Sequence, residues 1–352
     1  MDGYTNSLRP VLARLAGGAT LNEAEAEAAF ALVMDGQASP AQIGALAMAL
    51  RLRGETVAEL TGAARALRAR MTRVEADAVA IDVCGTGGDQ MNTLNVSTAV
   101  TFVAAGAGVR VAKHGNRSAS SRSGGADVLA ALGVRLEPPL ARLPAILAEA
   151  RCVFLFAPRH HAALRHAATV RAELGTRTIF NLLGPLGNPA GVTRQLVGVY
   201  DAAWTRPMAQ VLAALGSARS WVVHGGGLDE LSLAGKNWVV AQEAGSVRDI
   251  TIDAASLGLA PAPVSAIAGG DAPENAECLL ALLENRPPEG GFGQGRHCAY
   301  RDTVLLNTAA ALVVAGLTDD VTVAVTRARA ALDSGAALEA LNRLRTASEI
   351  DE

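Results

Sequence analysis

The run Asp82-Val-Cys-Gly-Thr-Gly-Gly-Asp89 closes an apolar stretch, and Asn95-Val-Ser-Thr98 opens a helical pattern a few residues later. A strand, a glycine loop and a helix start, in that order, form the unit of an α/β sheet whose binding loops lie at the carboxyl ends of its strands. The glycines let backbone amides come close to an anion. Ser97 or Thr98 at the helix start adds a hydroxyl beside the positive end of the helix dipole. The spacing lacks the G-x-x-x-x-G-K-[ST] of a P-loop, and Gln90 stands where a dinucleotide fingerprint needs its third glycine. Taken by itself, the loop also reads as an ordinary strand-to-helix turn.

Outward from this loop the same alternation continues. Residues 78–83, 109–112, 152–156, 195–200 and 220–224 are predicted strands, and 97–107, 161–174 and 204–215 are predicted helices, with a helical tail over 300–345. Before Arg73 the texture is entirely helical. Thr20 with Glu23 and Thr56 with Glu59 have capping-box spacing, and Ser39-Pro40 fits an N-cap followed by proline in the first turn. The expected fold class is therefore α/β: a small all-helical domain over 1–73, joined by part of 165–190, and a larger α/β domain over 74–352 with a central, mostly parallel sheet.

Composition narrows the function classes. The 352 residues carry 31 Lys plus Arg against 34 Asp plus Glu, a net charge of -3, and 50% of them are hydrophobic. Such a chain has ample core and is not a disordered protein. No basic surplus exists to grip a polyanion, so nucleic acid is not expected as a partner. The four cysteines form no CxxC pair and read as thiols of a reducing cytoplasm. No basic leader and no apolar run of about 18 to 20 residues is present, so no membrane association is expected and the localisation reads as cytoplasmic. Lys113 and Lys236 are the only lysines among the cationic side chains, which points to sites where a compact ammonium is needed.

Two further clusters carry chemistry. Lys113-His-Gly-Asn-Arg-Ser118 leads into Ser120, Ser121, Arg122, Ser123, Gly124 and Gly125, placing an ammonium, guanidinium groups and hydroxyls on one loop after a strand. That set suits several phosphate oxygens, with a solvated basic loop as the alternative. His224-Gly-Gly-Gly-Leu-Asp229-Glu230 places adjacent carboxylates beyond another strand. They suit Mg²⁺, which takes one or two protein carboxylates and fills its other positions with water and phosphate, and an acidic surface turn is the alternative. Arg171 and Arg177 flank a helix end and read blind as surface or salt-bridging residues. His161 and His166 are five apart rather than four, so zinc is not indicated.

The series GTGGD (85–89), NVST (95–98), KHGNRS (113–118), RTIFNLLGPLGNP (177–189) and GLDE (227–230) resembles the anthranilate phosphoribosyltransferases of tryptophan biosynthesis over nearly the whole chain. The resemblance implies a homodimer joined through the helical domain. It also implies transfer of phosphoribose from PRPP to the amine of anthranilate with Mg²⁺, the second step from chorismate. It places PRPP on Gly85, Gly88, Asp89, Thr93, Asn95, Val96, Ser97, Thr98, Lys113, His114, Gly115, Asn116, Arg117, Ser118, Ala119, Ser120, Ser121 and Gly125. It places anthranilate on Gly85, Asn116, Arg171 and His114, and the metal on Ser97, Asp229 and Glu230. Ala162 and Thr169 stand where relatives commonly have proline, Gln90 where glycine is usual and Gly125 where serine is frequent. A pyrimidine nucleoside phosphorylase-like enzyme and a non-catalytic nucleic-acid-binding paralogue are the competing readings. No residue is assigned as an acid or base.

Overall fold

The computed structural model describes residues 7–76, 79–117, 122–287 and 294–351. Helices α1 (Arg9–Ala16), α2 (Glu23–Met34), α3 (Pro40–Arg53) and α4 (Val57–Arg68) open the chain. Ser39 with Gln42 and Thr56 with Glu59 cap α3 and α4. The box expected at Thr20 and Glu23 forms instead at Asn22 and Glu25, each returning a 2.9 Å bond to the other's amide. The reason is tertiary. The Thr20 carbonyl is taken by Arg14 and the Leu21 amide by the buried Glu59, so the helix starts after both, with Asn, a strong cap residue, in place.

The sheet contains β1 (Ile81–Gly85), β2 (Val111–Gly115), β3 (Cys152–Phe156), β4 (Arg194–Gly198), β5 (Arg219–Gly225), β6 (Lys236–Glu243) and β7 (Ser246–Asp253). Its order is β3-β2-β1-β4-β5-β6-β7. The first five strands are parallel and the last two antiparallel. The β6–β7 hairpin is absent from the strands read in the sequence. Its turn is Ala244-Gly245 with φ of 46° and 84°, and alanine in the first left-handed position hides the usual Asn-Gly signal.

Helices α5 (Val96–Gly106), α6 (Gly125–Ala131) and α7 (Leu143–Ala150) carry the chain from β1 to β3. After β3 come α8 (Ala157–His160), α9 (Arg165–Leu174) and α10 (Ile179–Leu182), and α11 (Thr205–Ala214) links β4 to β5. The helix expected from His161 thus begins at Arg165, after a short 3₁₀ turn over Ala162–Leu164. The tail contains α12 (Ala272–Leu283), α13 (Gln294–Ala315), α14 (Val321–Asp333) and α15 (Ala336–Glu349).

Alternate residues of the central strands serve two cores. Val83, Leu196, Trp221, Val223 and Val239 join the core under α5 and the C-terminal helices. Cys84, Val197, Val222 and Val240 join the core shared with α2, α3 and α4. Ala167, Val170, Ile179 and Phe180 belong to that second core, and α9 packs against α2 and α3. This packing favours our proposal that part of 165–190 belongs with the helical domain.

Connections from β1 lead to one side of the sheet and those from β4 to the other. The order therefore switches between β1 and β4, where a parallel α/β sheet leaves a crevice at its carboxyl ends. Gly85 and Gly198 end the two strands in register with each other.

Candidate active site

The β1–β4 crevice is built around Asp229. After β5, Gly226 and Gly227 adopt φ of 62° and 90°, a tight reversal only glycine makes cheaply. The buried Leu228 pins the turn, and its amide returns to the Gly225 carbonyl at 3.0 Å. Beyond the pair, Asn307 of α13 holds both backbone groups of Leu231. Asp229 is thereby laid across the two strand ends. A β-carbon on Gly85 would stand 2.2 Å from Asp229 Oδ2, and one on Gly198 would stand 1.6 Å from the Asp229 carbonyl oxygen. The Gly87 amide donates to Asp229 Oδ2 at 2.7 Å. Gly87 and Gly88, with φ of 63° and 77°, give the loop the curvature this contact requires.

Glu230 reaches the start of α5, where it accepts from the Ser97 amide. The Asn95 side chain does not cap that helix. It bonds Ser123 O and accepts from Asn275, while the Tyr300 hydroxyl donates to the Asn95 carbonyl. The buried Lys113 enters from β2 and donates from Nζ to Val83 O at 2.7 Å and to Ser97 Oγ at 3.0 Å. The three sequence clusters thus meet at one place, with Ser97 between Lys113 and Glu230.

Electrostatics mark this place. Desolvation, and after it the charge of Asp89, pushes Asp229 up to about 7. Desolvation and the charge of Asp229 hold Glu230 well above the usual carboxylate range, with Lys113 opposing. Two adjacent carboxylates that resist ionisation, beside a hydroxyl oxygen, fit a hard divalent cation, which would relieve their repulsion. Among the described residues no group of three or more His, Cys, Asp or Glu side chains forms a metal cage.

The remaining sequence candidates surround this centre. Thr93 bridges to Ala268, the Asp89 carboxylate accepts from the Met91 amide, and Val96 is buried beneath the helix start. Thr98 Oγ1 is buried without a hydrogen-bond partner, and a β-carbon on Gly125 would lie 3.1 Å from it. Gly115 packs against the Phe154 ring. The exposed Asn116 turns its side chain to the Arg117 amide, and Arg117 pairs with Asp127. Ser118, Ala119, Ser120 and Ser121 lie outside the described residues.

Arg171 lies in α9 with its guanidinium 5.7 Å from the Phe180 ring centroid, and burial holds its pKa below the usual value. Among the described residues no carboxylate pairs with it. His114 sits between the two segments. Its Nδ1 is 3.1 Å from the Gly184 carbonyl and its Nε2 3.2 Å from His161 Nε2. The carbonyl requires a proton on Nδ1, so His114 Nε2 accepts from a proton on His161 Nε2. Burial drives His114 down to about 3 and His161 to about 4, so both are neutral at pH 7.

Sequence reasoning passed over three residues here. Asp82 is fully buried and accepts from the His114 amide at 3.0 Å, tying β1 to β2. A carboxylate inside a predicted strand was the available signal. In the sequence His161 stands out only through its spacing from His166, and Arg177 only as a surface or salt-bridging residue. Arg177 in fact donates from Nη2 to the Gly88 carbonyl.

Residues 9–71 match the helical bundle domain of the glycosyl transferase family, and residues 77–338 match its a/b domain. The anthranilate phosphoribosyltransferase of Brucella suis biovar 1 (strain 1330) is 50% identical over 337 residues, 96% of this chain and 96% of that protein. The crystal structure of anthranilate phosphoribosyltransferase from Thermus thermophilus is similar at a TM-score of 0.89 and 41% identity, covering 96% of this chain and 99% of that one. The Saccharomyces cerevisiae enzyme in complex with PRPP and Mg is similar at a TM-score of 0.86 and 26% identity, covering 97% and 98%.

Proposed function

This chain belongs to the anthranilate phosphoribosyltransferase family, and on that premise we propose that its β1–β4 crevice moves the 5-phosphoribosyl group of PRPP to the amine of anthranilate, releasing pyrophosphate. The observation that carries the reading is the seating of the Asp229 carboxylate on Gly85 and the Gly87 amide, with Glu230, Ser97 and Lys113 adjoining. The relatives' shared name supports the transferase reading over the nucleoside phosphorylase and nucleic-acid-binding alternatives.

In this reading the loops 85–89, 93–98 and 113–125 hold PRPP. Breaking the bond from ribose C1 to pyrophosphate builds cationic character on the sugar and negative charge on the leaving group. Lys113, held against Ser97 at the α5 start, brings a fixed positive charge to the side of the crevice where that negative charge would develop. Ser97, Asp229 and Glu230 would hold Mg²⁺, which when bound supplies charge neutralisation to the pyrophosphate oxygens.

Arg171 and Asn116, with Gly85, would position anthranilate. A half-buried guanidinium pairs well with the acceptor's carboxylate. The His114 ring nitrogens are both engaged inside the protein, so His114 contributes a fixed wall to the acceptor rather than a proton carrier. The aromatic amine is neutral at pH 7 and attacks once oriented, which leaves positioning as the other large contribution. Ala162 and the exposed Thr169 lie on the segment that bears Arg171, so acceptor affinity is where this chain should differ from its relatives.

We further propose a homodimer formed through the helical domain, supported by Leu52, which is 81% exposed on α3. No helix among the described residues is long and apolar enough to cross a membrane, and we place the enzyme in the cytoplasm. The purified protein, supplied with PRPP, anthranilate and Mg²⁺, is expected to turn over, followed by fluorescence and by pyrophosphate release. No pyrophosphate with all three present would defeat the reading.

A further inference from the structure

The geometry points to Arg177 and Tyr200 as a clamp that positions the donor loop, a role that rests on the proposal that residues 85–89 hold PRPP. The Arg177 guanidinium lies over the Tyr200 ring at 4.3 Å from its centroid and donates from Nη2 to the Gly88 carbonyl. Gly88 is closely covered by it, since a β-carbon there would stand 3.3 Å from Arg177 Nε. Tyr200 meets the same loop a second time, its amide donating to Thr86 Oγ1 at 3.1 Å. The Trp204 side chain hydrogen-bonds the Tyr200 hydroxyl, and Tyr200 is buried to 9% exposure. The ring is therefore a fixed plate, and a guanidinium held over it and bonded to a backbone carbonyl has few orientations left.

The consequence follows from the loop's own chemistry. Gly87 and Gly88 both have positive φ, and a two-glycine stretch explores many backbone states unless something restrains it. The Asp229 carboxylate restrains it from inside, through the Gly87 amide. Arg177 restrains it from outside, through the next carbonyl along. Among the described residues no carboxylate pairs with Arg177, so the Gly88 carbonyl and the Tyr200 ring are what hold its charge. Arg177 follows α9 on the same segment as Arg171. One segment thus faces the acceptor with Arg171 and the donor loop with Arg177. Neither Arg177 nor Tyr200 needs to touch a reacting atom. Their effect is to keep the loop in the shape that receives PRPP.

The test uses the full-length protein with Mg²⁺ and PRPP. Binding of PRPP without anthranilate is measured by titration calorimetry, and steady-state kinetics vary each substrate in turn. Arg177→Ala is expected to weaken PRPP binding and raise the PRPP KM about tenfold, the size of one lost charged hydrogen bond, while the anthranilate KM stays within about twofold. Tyr200→Leu should shift the PRPP KM the same way, Tyr200→Phe should restore it because the ring face remains, and combining Arg177→Ala with Tyr200→Leu should add little to either alone. Melting temperatures of all variants identify any that fail to fold, and Arg177→Lys, which keeps the charge but loses the planar fork, then stands in with the same expected direction. If the wild-type protein binds PRPP and Arg177→Ala binds it equally well, the clamp is refuted. A shift in the anthranilate KM alone would also refute it. If the wild-type protein binds no PRPP, it is the underlying functional proposal that fails.

Discussion

Gly85 lies so close under the Asp229 carboxylate that a β-carbon there would stand 2.2 Å from Oδ2, whereas one on its register partner Gly198 would stand 1.6 Å from the Asp229 backbone oxygen. The two clashes have different remedies. A carboxylate swings aside, but the backbone carbonyl of a turn pinned by the buried Leu228 and Leu231 does not. Gly85→Ala should therefore keep a near-native melting temperature and lose about ten- to hundredfold in kcat/KM if Asp229 is the metal-holding group proposed above. Gly198→Ala should cost stability directly, by about 1 to 3 kcal/mol or more. Thermal unfolding and kinetics of both variants check the contrast, and equal effects on stability would show that Asp229 is less rigidly seated.

Removing Asp229 and Glu230 together should abolish turnover, by about a thousandfold or more if the metal contributes several kcal/mol to the transition state. Chelation of Mg²⁺ from the wild-type protein should do the same. The double Ala variant should melt no lower than the wild-type protein, because both carboxylates are desolvated and repel one another in the absence of a cation. Full activity with ordinary Mg²⁺ dependence in the double variant would sink the metal assignment.

The His114–His161 pair sets an acid limit. Burial is the main reason that both folded-state values are depressed, to about 3 and about 4. His160 and Lys113 add repulsion, and the Asp82 carboxylate lies at the His114 amide. A depressed folded pKa means the unfolded chain takes up protons first. The pair's stability is thus complete above the ordinary imidazole value of about 6.5 and is lost as pH falls through the folded values. Melting temperatures from pH 7.5 to 4 should fall less steeply in His161→Gln than in the wild-type protein. Parallel curves would show that this pair does not set the slope.

Light scattering should report a mass twice the 36.0 kDa of one chain at micromolar concentration. Leu52→Glu should shift it toward one chain, because among the described residues of the helical domain Leu52 is the most exposed large apolar side chain. A wild-type monomer at that concentration would show that those helical faces serve only the fold.

The parallel part of the sheet was legible because its strands are short apolar runs, four of them ending in glycine; Cys152–Phe156 has the predicted bounds, and the others differ by one to three residues at their ends. The loops proposed to hold PRPP stand out in the sequence for a related reason, because glycine and hydroxyl residues cluster there directly after strands. What stayed hidden depends on distance in the chain. Arg177 returns over 89 residues to Gly88, and His161 over 47 to His114. Nothing local to either residue announces its partner. The Asn22 cap was missed for a related reason, because Glu59, far along the chain, had already claimed Leu21.

Steady-state kinetics of Arg171→Ala and Lys113→Ala, with each substrate varied in turn, test the division of the crevice most directly. Arg171→Ala removes a guanidinium proposed to pair with the acceptor's carboxylate, and losing one charged hydrogen-bond partner costs about 1.5 to 3 kcal/mol. The anthranilate KM should rise about ten- to hundredfold with the PRPP KM nearly unchanged. Lys113→Ala should do the reverse, because its ammonium, fixed at Ser97 and the Val83 carbonyl, faces the donor side. An unchanged anthranilate dependence in Arg171→Ala, or equal shifts for both substrates in both variants, would contradict the assignment of PRPP to the strand-end loops and anthranilate to α9.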